Sequence, residues 1–531
     1  MMVKTSITKK NTTQMKRFLY AILLILPLAV SSQNMYNMSA LFDNSPSGSA
    51  RFLSMGGSMG ALGGDISVMG TNPAGTAVYR SSDFNLTGML GVVDNKTMLD
   101  GKNTITNYTG TNMNNAGFVM AFDVDTPPVK FVNFGVGYRR KANVGNNLSV
   151  KGNNDGFSQQ YLIDYLYRQS KFDIDKMTAD MYSNFGYNWL ALLAADAKIT
   201  DDEGNFLFYP AFKNDEDDTW IYDIIYNPDR FGYYSEERGG LDVFDVNLSV
   251  NIDDRVYLGA TLGYYKLDYS RHSSYYEADE HGEIYTLENN YKVNGSGFDF
   301  KLGAIFRPFK YSPFKVAAFV HTPVFYKLVD SSSASMIGPF GDGYETRHED
   351  CYGDDLYVAY SLRTPWRFGA SMSYTFGKYV ALNAEYEYSD ISDIMFTDGT
   401  DADKAQNEEI SYNLKQQHTV RLGAEVSLGK FAFRAGYNYI SSPFRTDAFK
   451  FMDNAAKTDT STEFINRFDK NIATCGIGYA GDMLYFDVAY MYQRQNADFS
   501  TYYDVEEECP APVASVKTTS HSVVASVDIR F

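Results

Sequence analysis

The last ten residues, SVVASVDIRF (Ser522–Phe531), decide the fold. Val523, Ala525, Val527, Ile529 and Phe531 fall on one side of an extended chain. Ser522, Val524, Ser526, Asp528 and Arg530 fall on the other. Side chains along a strand alternate with period two, so this is a strand with one apolar and one mostly polar face, running to the final residue. In water, an apolar strand at a chain end would invite pairing with other molecules. In a closed barrel set in a bilayer it is the strand that completes the ring.

The same signature recurs upstream. Phe244, Val246, Leu248, Val250 and Ile252 alternate with Asp245, Asn247, Ser249 and Asn251. Val256, Leu258, Ala260, Leu262 and Tyr264 resume three residues later against Tyr257, Gly259, Thr261 and Gly263. Val420–Leu428 and Phe431–Tyr439 repeat the pattern across a turn at Gly429-Lys430. Alternating segments number about fourteen, near 83–93, 116–124, 131–140, 241–252, 256–269, 291–306, 315–328, 356–376, 379–389, 411–428, 430–440, 467–480, 482–494 and 515–531. Short turns lie at 125–130, 253–255, 307–314, 377–378, 429 and 481. Long polar connections lie at 94–115, 141–240, 270–290, 329–355, 390–410, 441–466 and 495–514. Short turns at one end and long loops at the other are the arrangement of an outer-membrane barrel, and an even strand count brings both termini to the periplasm. The expected fold is all-β: a transmembrane antiparallel barrel of about fourteen strands, residues 83–531, with a long outer loop at 141–240. Its terminal Phe531 resembles the signal by which bacterial barrels are handed to their assembly machinery.

Composition agrees. Tyr 42, Phe 37 and Gly 42 in 531 residues favour strands and turns over helices. Mean hydropathy of −0.32 excludes a bundle of membrane helices. A net charge of −18 argues against nucleic acid as partner, because phosphate binding needs a basic face. Lys4, Lys9, Lys10, Lys16 and Arg17 precede the apolar run Phe18–Val30, and small residues follow at Ser31 and Ser32. The run is shorter than the about 20 residues that span a bilayer as a helix, so residues 1–32 read as a secretory signal peptide. The three cysteines form no disulfide framework. Cys351 and Cys509 fall in polar loops, which leaves one bridge between them open, and Cys475 falls on a strand as a small apolar filler.

In the long loop, Tyr161, Tyr165 and Leu166 share one helical face, and Asn188–Ala197 is an apolar run of helix formers. That run reads as a ligand surface or as packing against neighbouring loops. The acidic stretch Asn214–Trp220 lacks the spacing of a calcium loop and reads as solvated. No metal and no cofactor is expected. No Gly-x-Ser-x-Gly elbow or other nucleophile constellation appears, so an enzyme is not expected.

Residues 33–82 do not alternate. They are rich in Gly and Met, as in SARFLSMGGSMGALGGDISVMGTNPAGTAVYR (Ser49–Arg80), and read as a plug threaded into the lumen. This segment resembles the N-terminal hatch of the FadL/TodX family of outer-membrane hydrophobic-compound transporters. Asn72-Pro73-Ala74 matches the family's NPA motif, and HTPVFY (His321–Tyr326), TPWRFGASMSY (Thr364–Tyr374) and the terminal Phe531 are similar to later family segments. The resemblance implies passive uptake of hydrophobic small molecules such as long-chain fatty acids. These would be caught at outer loops, bound in the lumen and released laterally into the bilayer by way of a kinked third strand. It implies a Gram-negative outer membrane with its lipid and lipopolysaccharide as surroundings. In the third strand Gly135 and Gly137 point inward. They permit a kink that would serve as a lateral gate, or they make room for the hatch. A carboxylate head group calls for a cation. Strand parity points Arg139, Lys301, Arg367, Arg421 and Arg434 inward, together with Asp245, Asp299, Glu385, Glu387, Glu425 and Asp487. Arg139, Arg367, Arg421 and Arg434 are the expected ligand-binding residues, with lumen salt bridges as the other reading. The alternative function is an outer-membrane haem or haemin receptor, with His272, His281 and His348 in outer loops as iron ligands.

Overall fold

The structure, a computed structural model, describes residues 36, 41, 43–154, 157–170, 181, 187–197, 212–213, 220–221, 228–279, 282–337, 345–347, 356–450, 452, 458–504 and 509–531. Its frame is one closed antiparallel barrel of fourteen strands. These are β1 (Asp83–Leu99), β2 (Lys102–Thr126), β3 (Val129–Asn143, continued as Asn146–Asn153), β4 (Arg230–Ile252), β5 (Val256–Asp279), β6 (Gly282–Phe306) and β7 (Lys315–His321, then Phe325–Ile337). The ring continues through β8 (Leu356–Arg363, then Arg367–Phe376), β9 (Val380–Asp390, then Met395–Phe396), β10 (Gln416–Leu428), β11 (Phe431–Ile440), β12 (Phe464–Ala480), β13 (Leu484–Asp504) and β14 (Cys509–Arg530). It closes where β1 meets β14, from Asp83↔Arg530 to Met98↔Ser515. No edge is left open along that seam, which is what a hydrocarbon surrounding demands of backbone groups.

The alternation reads as expected. Phe244, Val246 and Leu248 are exposed on the outer wall, while Asp245, Asn247 and Ser249 are buried within. Val523, Val527 and Ile529 face out and Ser522 and Ser526 face in. The apolar outer band and polar lumen place the chain in an outer membrane as a multi-pass barrel. Cys475 is a free thiol on the lipid side of β12. Cys351 lies outside the described residues, as does most of Asn214–Trp220.

Several expected loops are strands. Residues 94–115 continue β1 and β2 as a ladder that ends at Leu99↔Lys102 around Asp100 and Gly101. Residues 270–279 and 282–290 extend β5 and β6 in the same way, and 495–504 and 509–514 extend β13 and β14. These extensions stand in water beyond the bilayer, where neither face needs to be apolar. Sequences such as TITNYTGTN (Thr104–Asn112) therefore carry no period-two hydrophobic signal. The expected strand 411–428 begins only at Gln416, because Asp401–Asn413 is a helix with a capping box from Thr400 and Asp403.

The extended strands support an outer cap. Two helices of the long loop, α1 (Gln159–Ser170) and α2 (Trp189–Asp196), pack there, and α1 turns Leu162 and Ile163 inward with Leu166 where the spacing had put Tyr161 and Tyr165. Leu162, Ile163, Leu166 and the run Trp189–Leu193 are buried with Phe231, Tyr233, Tyr285, Phe499 and Tyr502. Asn188 caps α2 by accepting from the N–H groups of Leu190 and Ala191. From Trp189 to Ala195 α2 is apolar all round, and those residues are accordingly all buried. Burial of each large side chain contributes about 1.5–3 kcal/mol, so this cap is a small soluble core in its own right.

Three neighbouring strands are interrupted at one level. β7 breaks at Thr322-Pro323-Val324, β8 at Thr364-Pro365-Trp366, and β9 at 391–394. By contrast β3 pairs without interruption through Gly135 and Gly137, against both β2 and β4.

Candidate functional site

Residues 43–79 lie inside the barrel, almost entirely buried. The segment is a series of capped short turns. Ser49 caps the turn Ala50–Ser54 by accepting from Phe52 N at 3.0 Å. Asp65 caps Ile66–Gly70 through Ser67 N at 2.9 Å, and also accepts from Ser49 Oγ at 2.7 Å. Asn72 caps Pro73–Val78 through Ala74 N at 3.1 Å, and its amide donates to Gly60 O at 2.7 Å. Asn72-Pro73-Ala74 is therefore a cap, a first-turn proline and a fully buried alanine. It seats on two glycines of the wall. A Cβ at Gly303 would overlap Asn72 Oδ1, and one at Gly259 would overlap the Pro73 carbonyl.

Inward polar residues of the wall hold the segment. Glu385 accepts from Gly60 N at 3.0 Å, and Ser371 Oγ from Ala61 N at 3.1 Å. Asn133 donates to the carbonyls of Thr76 and Tyr79. The His321 ring lies 2.6 Å from Thr71 O through Nε2. Gly135 faces Met69, whose Cε a Cβ there would meet at 2.5 Å.

The inward charges assemble as parity placed them, and they assemble as ion pairs. Arg421 donates to Glu385 at 3.0 Å and to Glu387 at 2.9 Å, and its other nitrogen reaches Asn44 O. Arg367 stands 3.7 Å from Glu387. Arg434 binds Glu425 at 2.5 Å and also Asp487. Arg139 lies 3.5 Å from Asp245, which Lys301 also binds at 3.0 Å. None of these four arginines lines the cavity on the outer side of the N-terminal segment.

That cavity, of about 260 Å³, sits on the outer side of the N-terminal segment. Its apolar wall includes Leu53, Met89, Val93, Leu148, Ile440 and Met491. Four cations and two carboxylates line it: Arg140, Lys141, Arg467 and Lys470, with Asp43 and Glu237. Lys470 binds Asp43 at 2.9 Å, Lys141 donates to Asp43 O at 2.7 Å, and Arg140 holds Asp242. Among the described residues the Arg467 guanidinium makes no hydrogen bond or ion pair, and its charge acts on Tyr269 in the same lining. A second cavity of about 190 Å³ lies on the periplasmic side, lined by Arg51, Asp65, Asp83, Glu425, Arg434, Asp487, Asp528 and Arg530.

Sequence parity missed the cavity cations because two of them stand at β-bulges. The register slips between Arg140 and Ala142 on β3, and between Arg467 and Lys470 on β12. A bulge adds a residue to one strand and re-aims its side chain, so counting by twos fails there. Of the proposed haem ligands, His272 stands on β5 with Nδ1 2.9 Å from Asn290 Oδ1, while His281 and His348 lie outside the described residues.

No family model and no curated protein matches the chain. Solved structures do. A FadL homologue of Pseudomonas aeruginosa superposes with a TM-score of 0.53 at 12% identity, covering 92% of this chain and 99% of that one. The Pseudomonas putida toluene transporter TodX follows with a TM-score of 0.48, also at 12% identity, over 92% and 99% of the two chains. The Ralstonia pickettii toluene transporter TbuX gives a TM-score of 0.45 at 13% identity, over the same shares. Nearly end to end, the chain has the fold of the Pseudomonas aeruginosa FadL homologue.

Proposed function

We propose that this barrel is a FadL/TodX-type outer-membrane transporter, not an enzyme, that passively admits hydrophobic small molecules, among them fatty acids, into a Gram-negative cell. One observation carries the reading: the cavity above the N-terminal segment joins an apolar wall to an unpartnered guanidinium at Arg467. An apolar tail gains from leaving water, and a carboxylate gains a charge-assisted bond from a planar fork of donors. Lys141 and Lys470, both held by Asp43, reinforce the same positive corner. Arg139 reaches that corner through Ser47, which lines the cavity. Arg367, Arg421 and Arg434 serve a carried ligand by keeping wall and plug in place. In this reading residues 33–82 act as the hatch, with Asn72-Pro73-Ala74 as its seat. Residues 1–32 direct export, Phe531 presents the chain to the assembly machinery, and lipopolysaccharide surrounds the outer rim.

The test is equilibrium binding of a fluorescent long-chain fatty acid to the purified barrel. Arg467→Ala should weaken it by about tenfold, or ~1.4 kcal/mol, with unfolding unchanged. The uncharged methyl ester should bind the native and variant proteins alike. Equal acid affinity in the two proteins would remove Arg467 from the site.

A further inference from the structure

We infer that the outer wall of the barrel binds a phosphate of lipopolysaccharide between Lys266 and Lys327, in a niche that spans β5, β6 and β7. The inference rests on the outer-membrane placement of the chain and is independent of what the lumen carries.

On the lipid face, strand register sets the side chains in rows. Tyr138, Phe244, Tyr264, Phe298 and Phe325 form one row across adjacent strands from β3 to β7. Neighbouring rings pack, with centroids 5.4 Å apart for Tyr138 and Phe244, 6.2 Å for Phe244 and Tyr264, and 5.1 Å for Tyr264 and Phe298. On the membrane side of this row the wall is apolar, with Val246, Leu262 and Phe300 exposed. Among the described residues Phe244, Tyr264 and Phe298 are the outermost exposed aromatics of β4, β5 and β6. Such a girdle marks the level where hydrocarbon gives way to head groups.

One row further out stand Arg140, Asp242, Lys266, Ser296, Lys327 and Ser361, each opposite the next. The first two neutralise each other. Arg140 Nη1 lies 3.0 Å from both carboxylate oxygens of Asp242, which also accepts from Tyr138 OH at 2.8 Å. The two lysines have no such relief. Both are exposed, and among the described residues neither makes an ion pair or a side-chain hydrogen bond. They flank Ser296 across β6, so their Cα atoms stand about 10 Å apart. Their long stems can meet over the serine, whose small side chain leaves the space between them open. Arg363 adds a third cation beside Phe325, with Met395 Sδ as its neighbour at 4.0 Å. Asp268, the one carboxylate on the outer face of β5, stands a row further from the bilayer. At the periplasmic end, by contrast, exposed lysines are paired: Lys130 with Asp254 at 2.6 Å and Lys430 with Asp482 at 3.7 Å.

The patch therefore has three tiers, and a phosphorylated glycolipid matches each. Its phosphate takes charge-assisted bonds from two ammonium groups and a hydrogen bond from the Ser296 hydroxyl. Its sugars lie over the aromatic row, and its acyl chains run down Leu262 and Phe300. The patch stands at the end of the barrel that bears the cap, so it meets the outer leaflet, where the phosphate-bearing amphiphile is lipopolysaccharide.

The experiment is native mass spectrometry of the delipidated full-length barrel titrated with lipid A carrying both phosphates. Lys266→Ala/Lys327→Ala should weaken binding by about tenfold. Ser296→Glu, which sets a carboxylate between the lysines, should weaken it similarly. Lys378→Ala/Lys430→Ala removes the same charge at the periplasmic turns and should change nothing. Lipid A stripped of its phosphates should bind the native barrel as poorly as intact lipid A binds the double lysine variant. Mobility of unheated samples in a gel confirms that each variant is folded. Equal affinity of the native barrel and the Lys266/Lys327 variant, equal loss in the periplasmic control, or undiminished binding of stripped lipid A would overturn the site. Phosphatidylglycerol or inorganic phosphate held as tightly as lipid A, and lost in the same variants, would overturn the choice of lipopolysaccharide.

Discussion

The lumen floor and the outer cap bury their residues for opposite reasons. Around the N-terminal segment the interior is ionic: Arg421 with Glu385 and Glu387, Arg434 with Glu425 and Asp487, Lys301 with Asp245 and Asp299. The wall spends its apolar side chains on lipid, so what remains to face inward is polar and must be paired. Above the membrane the surroundings are water, and the chain reverts to the soluble rule. Trp189, Leu190, Leu192 and Tyr285 go inside, and Thr and Asn cover the projecting strands. One chain therefore inverts its packing within the length of single strands such as β5. Geometry in the floor is fixed by charge pairing, whereas in the cap it is fixed by shape.

Removing one charge from the floor is the strongest way to break that contrast. Arg421→Ala leaves Glu385 buried without its cation and Glu387 with only Arg367 at 3.7 Å, and should cost about 3–5 kcal/mol. Denaturant unfolding of the detergent-solubilised barrel reads the loss, and Arg421→Met should do little better, because the carboxylates and not the lost volume set the cost. In the cap the same size of insult should stay local. Leu190→Ala removes a buried side chain and should cost about 2–5 kcal/mol. Protease should then cut the long outer loop while the barrel core stays resistant. A Leu190→Ala protein whose barrel unfolds in parallel would show that the two regions are one cooperative unit.

A finer test uses Glu277, a fully buried carboxyl of the cap. Glu277 lies thirteen residues beyond Tyr264, the last exposed aromatic of β5, and so stands outside the bilayer. It accepts from Ser158 Oγ at 2.6 Å, Gln159 N at 2.6 Å and Tyr275 OH at 2.7 Å, at the start of α1. Burial raises its pKa above the ordinary glutamate value, against the pull of those donors. A raised carboxyl favours the folded state at low pH, and that advantage fades as pH rises through the shifted value. Cap stability, followed by fluorescence of Trp189, should therefore decline from about pH 4 upward, and Glu277→Gln should flatten the slope. The smallest effect belongs to the surface. Lys404→Ala removes an exposed pair with Asp401 and should leave thermal unfolding where it was.

How much of this was legible follows the same boundary. Where a strand crosses the bilayer, Phe244-Asp245-Val246-Asn247 announces both its conformation and which face meets the lumen. The ion-paired arginines were found that way. Where strands leave the bilayer, Asn and Thr occupy both faces, and the ladder from Asp94 to Lys102 looks like loop. The cavity cations were hidden for another reason. Arg467 and Lys141 sit at or beside register slips, which depend on the neighbouring strand and leave no local mark. The Thr-Pro pairs at 322–323 and 364–365 were visible as letters, but only the barrel brings them side by side.

The turn Ala50–Ser54 gives Leu53 to the outer cavity and Arg51 to the periplasmic one. Electrically, the N-terminal segment stands between the two cavities, and this turn faces both. Arg51, held by Glu425 and by the Gly64 carbonyl, stands on the periplasmic side of that turn. A planar bilayer carrying the native protein should show little ionic current, and Arg51→Ala should raise it.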